Sequence, residues 1–142
     1  YENNINKIAL FCKRVLHTQS IQKGVYSSTS LYHIITHLEE AADSFRRIIL
    51  QVNPKEVVIS KKTISLFEKC IKMQEINFAI FSKSLKGEPT TSLIPFFREH
   101  KAIHENIYYQ TYYSKDLTNN FICGELMSVI SLSFHTSEEL VY

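Results

Sequence analysis

Tryptophan is absent from this chain of 142 residues, and glycine, proline and cysteine occur only three times each. Three glycines leave little material for a Gly-rich phosphate cradle. Neither a P-loop nor a nucleophile elbow is present, so no enzyme motif emerges. The cysteines, Cys12, Cys70 and Cys123, are odd in number, far apart and each set among apolar neighbours. They read as reduced thiols in the core rather than as a disulfide frame or a zinc knuckle, and reduced thiols predict a cytoplasmic protein. An excess of one charge is lacking too. Sixteen Lys plus Arg stand against 14 Asp plus Glu, a net charge of +2, and without a basic patch that balance argues against direct nucleic-acid binding. No apolar run approaches the ~18 residues of a transmembrane helix, and no signal-peptide pattern occurs. The chain starts at Tyr1 inside what already reads as helix, which predicts a fragment of a longer chain.

What is present is apolar periodicity. With 44% apolar residues the chain can build a real core. Its few glycines and prolines cluster with Ser and Thr at a handful of breaks, the punctuation of long helices joined by short loops. The expected fold is all-α. Steps of three and four residues predict a first helix over 4–17 and a second from about residue 31 to 52. A third is expected from residue 56 or 60 to 85 through Ile64, Phe67, Ile71, Ile76 and Phe81, a fourth over 93–113, and a fifth from 119 or 120 to the end, through Leu140.

On a wheel of about 100° per residue, Ile34, Leu38, Phe45 and Ile49 mark the apolar centre of the second helix. His33, His37, Glu40, Ser44 and Arg47 fall opposite, toward solvent. Glu39 and Asp43 lie i,i+4 on a flank between the two faces. Like charges at that spacing mildly destabilise a bare helix, so the pair calls for neighbouring cations or a bound one, and carboxylate oxygens suit hard or borderline metals. The alternative is that both acids are simply the wet flank of the helix.

Two histidine pairs repeat the i,i+4 spacing. His33 and His37, with Glu40 one turn further on, offer a metal site on the wet face, against the plainer reading of exposed helix histidines. His100 and His104 fall on the apolar stripe of the fourth helix and predict hydrogen-bonded or partly buried rings; "EHKAIHE" lacks the H-E-x-x-H order of a zinc protease. Tyr108, Tyr109, Tyr112 and Tyr113 form a band that suits either a partner surface or an amphipathic rim to the core.

The stretch "LEEAAD" followed by "FRRII" resembles the "LERIADHAVNIA"-type signature of the PhoU family of phosphate-uptake regulators, with Leu38, Glu39, Ala42, Asp43 and Ile48 in register. Upstream, "ENNINKIALFCKRVL" is similar to the family's preceding helix: Glu2 and Arg14 match, and Asn6 stands where Asp is usual. The resemblance implies two three-helix bundles side by side, residues 1–53 supplying the last helices of the first and 54–142 the whole second bundle. It implies a non-enzymatic regulator of phosphate homeostasis that docks onto a protein partner such as a phosphate transporter or a sensor kinase, with a homodimer as a further expectation. It also implies a surface metal site in which Glu39 and Asp43 hold iron, manganese, magnesium or zinc, with Glu40 a bystander. The family's second acidic motif is reduced here to Glu138 and Glu139 in "SLSFHTSEELVY", and Ser44 replaces a frequent His. Two other classes stand beside this one. One is a metal-free helical interaction or dimerisation module. The other is a ferritin-like metalloprotein, whose Glu-x-x-His motifs fail at Glu39, Glu40 and Glu75, where Ala42, Asp43 and Phe78 take the histidine position.

Overall fold

The computed structural model describes residues 2–18, 27–52, 59–86 and 94–139. Five helices account for nearly all of them: α1 (Glu2–Thr18), α2 (Ser28–Gln51), α3 (Lys61–Leu85), α4 (Ile94–Tyr113) and α5 (Leu117–Glu139). No strand occurs among the described residues, so the all-α expectation holds. No described helix is long and apolar enough to cross a membrane. The expected helical positions of Glu56, Leu93 and Leu140 lie outside the described residues.

Short polar side chains set the helix starts. Ser27 Oγ accepts the Ser30 N–H at 3.0 Å, Ser60 Oγ accepts the Thr63 N–H at 3.1 Å, and an Asp116 carboxylate oxygen accepts the Thr118 N–H at 2.9 Å. Each satisfies a donor that a first helical turn leaves unpaired. These caps start α2 and α5 a few residues earlier than apolar periodicity predicts, because that periodicity does not register a polar first turn such as Ser28, Thr29 and Ser30.

α5 is the hub. It packs on α2, α3 and α4, whereas α1 rests on α2 alone among the helices. Pairings give the directions. Thr63 meets Asn119 and Asn77 meets Ser137, so α3 runs parallel to α5. Phe97 meets Phe134 and His100 meets Ile130, so α4 runs antiparallel to it. His33 meets Glu139 and Arg47 meets Glu125, so α2 is antiparallel to α5 as well. The result is an up-down-up trio of α3, α4 and α5, with α2 laid along α5 and α1 along α2.

One core joins Ile48 of α2, Leu66 and Met73 of α3, Ile103 and Ile107 of α4, and Leu126 and Ile130 of α5. A smaller cluster of Leu31, Ile34 and Ile80, flanked by Leu16 and Leu38, closes the other end of α2. Each fully buried Leu or Ile contributes roughly 1.5–3 kcal/mol. α5 can face three partners because it is buried nearly all round. Its small polar residues Ser133, Thr136 and Ser137 let neighbouring backbones come close.

Two expectations about the core need correction. The inward stripe of α3 is Thr63, Leu66, Cys70, Met73, Asn77 and Ile80, while Ile64 and Ile71 stay exposed. Thr63 and Asn77 are polar yet buried because each finds partners inside. Thr63 Oγ1 donates to Asn119 Oδ1 at 2.8 Å, Asn77 Nδ2 donates to the Ser133 carbonyl at 3.1 Å, and Ser137 Oγ donates to Asn77 Oδ1 at 3.0 Å. Of the cysteines, Cys70 and Cys123 are buried but Cys12 is partly exposed, since α1 covers one face only.

Candidate functional site at the seam of α2 and α5

The face that α2 turns toward α5 is not its most apolar one. Ser44 is buried and His37 half-buried, while Ile49 and Leu50 are exposed, so the buried face is rotated by about 60° from the apolar centre of the wheel. Part of the face expected to be wet is therefore a helix seam. Arg47 explains it: Nη2 donates to Ser44 Oγ at 2.8 Å, and Nε and Nη2 each reach a Glu125 oxygen of α5 at 2.9 Å. The hydrogen bond to Glu125, more than any other influence, holds the Arg47 guanidinium above its ordinary value. A planar fork on a carboxylate is among the strongest polar contacts available to a side chain.

Glu39 and Asp43 border different surfaces of α2. Glu39 faces α1, where Lys13 Nζ donates to its Oε2 at 2.6 Å, and the same ammonium lies 5.4 Å from the Tyr32 ring. Asp43 instead borders the groove between α2 and α5, beside Glu40, Arg47, Ser128 and His135. The ammonium of Lys13 already occupies the position beside Glu39 that a metal ion shared with Asp43 requires. Among the described residues, no three His, Cys, Asp or Glu side chains stand in ligating positions around one point.

At the next two turns of the same seam three imidazoles meet. The ring centres of His33 and His37 are 6.4 Å apart and those of His37 and His135 are 5.9 Å apart. Each Nδ1 has a neighbour on α5: Glu139 Oε1 at 2.8 Å for His33, Thr136 Oγ1 at 3.5 Å for His37, and Glu138 Oε2 at 3.1 Å for His135. Burial first, and then the nearby His135, holds the His37 imidazole below its ordinary value, with Glu40 and Glu139 opposing and His33 reinforcing. The hydrogen bond from His33 holds the Glu139 carboxylate below the usual range. The sequence gives one hint of this assembly, because His135 and Glu139 repeat the i,i+4 spacing of His33 and His37. Their union across 106 positions needs the antiparallel pairing of α2 with α5, which no local pattern specifies.

His100 is buried, as its stripe predicts, and its Nε2 donates to the Ile130 carbonyl at 2.7 Å, while His104 stays exposed. The four tyrosines at the end of α4 are exposed by 56–73%, which assigns them to the surface rather than the core rim. They stack in two i,i+4 pairs, Tyr108 on Tyr112 and Tyr109 on Tyr113. Comparison of the chain with family models, curated proteins and solved structures finds no match.

Proposed function

We propose that this chain is a non-enzymatic regulatory helical bundle that acts by docking onto a protein partner. The observation that carries the reading is the tyrosine band at the end of α4: four large amphipathic rings, stacked in pairs and turned to solvent. Such rings offer wide contact area at low conformational cost, and tyrosine is enriched at interfaces for that reason. The signature in α2 and the match upstream in α1 support a PhoU-like role in phosphate uptake, with a phosphate transporter or a sensor kinase as the partner and the cytoplasm as the compartment. Metal binding by Glu39 and Asp43 belongs to this proposal only with Lys13 displaced, because its ammonium lies against Glu39.

The test is complementation in the source cell. Deleting the gene is expected to release phosphate uptake from repression at high external phosphate. The parent gene restores repression, and a folded variant with Tyr108, Tyr109, Tyr112 and Tyr113 all changed to Ser does not. Unaltered uptake after deletion refutes the phosphate pathway. Full complementation by the serine variant refutes the tyrosine band as the docking surface.

A further inference from the structure

We propose that His33, His37 and His135 bind one borderline transition-metal ion, of the zinc and nickel class, through their Nε2 atoms, with Glu139, Thr136 and Glu138 steadying the rings from Nδ1. The site is separate from Glu39 and Asp43 and does not depend on the docking role.

Three observations carry it. First, spacing: two histidines at i and i+4 on one helix face are a recurrent zinc-binding pair, and the antiparallel course of α5 brings a third imidazole to them, flanked by a carboxylate at the same spacing. Second, reach: rings bound to one ion at about 2.0–2.1 Å from nitrogen hold their centres roughly 5–6 Å apart. The observed 5.9 and 6.4 Å leave a gap that side-chain torsions alone can close. Third, tautomer: all three Nδ1 atoms face an oxygen of α5. Against a carboxylate, Nδ1 carries the proton and Nε2 keeps its lone pair, the arrangement by which outer carboxylates orient metal-binding histidines. Imidazole donors favour zinc, nickel, cobalt or copper over magnesium and calcium. Three protein nitrogens leave a fourth position for water or for a partner's side chain.

Tag-free protein is titrated with Zn²⁺ by calorimetry and with Co²⁺ by visible absorption. The expected result is one equivalent bound, a cobalt spectrum of tetrahedral nitrogen ligation, and a Zn²⁺-dependent rise in Tm. His135→Ala and the pair His33→Ala/His37→Ala should each weaken Zn²⁺ by at least about 10-fold, while the exposed control His104→Ala and the pair Glu39→Ala/Asp43→Ala keep the parent affinity. Because the three histidines lie at a part-exposed seam, far-UV circular dichroism should be unchanged in every variant. Absence of binding at 0.1 mM Zn²⁺ (about 100 times a micromolar Kd) overturns the proposal, as does equal affinity in parent and histidine variants.

Discussion

Lys13 and Glu39 join α1 to α2 through a 2.6 Å contact between ammonium and carboxylate, both side chains about four-fifths shielded from solvent. The pair occupies the flank on which a metal shared by Glu39 and Asp43 must sit. Removing the lysine should unmask whatever affinity those acids have. Thermal shift with millimolar Mn²⁺ is expected to be larger for Lys13→Ala than for the parent, absent in Lys13→Ala/Glu39→Ala/Asp43→Ala, and unaffected by adding Glu40→Ala to Lys13→Ala. Identical shifts in all these proteins would remove Glu39 and Asp43 from metal chemistry.

The cysteines should react in a fixed order. Burial, with a smaller contribution from Cys123, pushes the Cys70 thiol up to about 12, and burial also raises Cys123. Since the thiolate is the reactive form, a maleimide at neutral pH should label Cys12 in the native protein and reach Cys70 and Cys123 only on unfolding. Mass mapping of the first adduct checks this, and early modification of Cys70 contradicts the placement of α3.

His100 makes stability depend on pH. Burial, reinforced weakly by His104 and opposed by the bond to the Ile130 carbonyl, lowers its pKa below 6.5. Lys101, His104 and His135 are the charged or titratable groups bordering it, and none is an acid. A depressed imidazole pKa means that the unfolded chain binds the proton more tightly, so this contribution is complete above about pH 6.5 and is lost as pH falls toward the folded value. Urea midpoints should therefore drop between about pH 7 and 5 by less in His100→Gln than in the parent. Equal slopes would show that His100 is not held neutral.

Asn77 should matter more than its apolar neighbour. Asn77→Ala removes one hydrogen bond to the Ser133 carbonyl and one from Ser137, both buried, and should cost about 2–3 kcal/mol. Phe78→Ala acts on a ring that is 60% exposed and should cost under about 1 kcal/mol. Denaturant unfolding of the two variants decides, and the reverse order would mean that α3 is rotated.

Helix number and class were legible because Leu66, Met73, Ile103, Ile107, Leu126 and Ile130 recur at helical spacing and the breaks are compact. Helix orientation was less legible. A wheel of hydropathy turns Ile49 inward and Ser44 outward, whereas Ser44 is buried under Arg47 and Glu125. The same bias favoured Ile64 over Thr63. Small polar residues with internal partners read as wet by composition and as core by packing. The histidine assembly escaped for a different reason. His33 and His37 stand out locally, but what they meet depends on α5, whose apolar residues run nearly all round and so mark no preferred partner face.

The central position of α5 also has a consequence in time. Of the five helices it is the last to leave the ribosome, and its 23 residues take about 1–5 s to translate at ~5–20 residues per second. During that interval α2, α3 and α4 have emerged with their inward stripes, Ile48, Met73 and Ile107 among them, and nothing to close on. A chain of this topology finishes its core in a single late event rather than helix by helix. The nascent intermediate is thus a natural client for chaperones that hold exposed apolar segments, and a stop codon before Leu117 should yield inclusion bodies instead of a smaller folded domain.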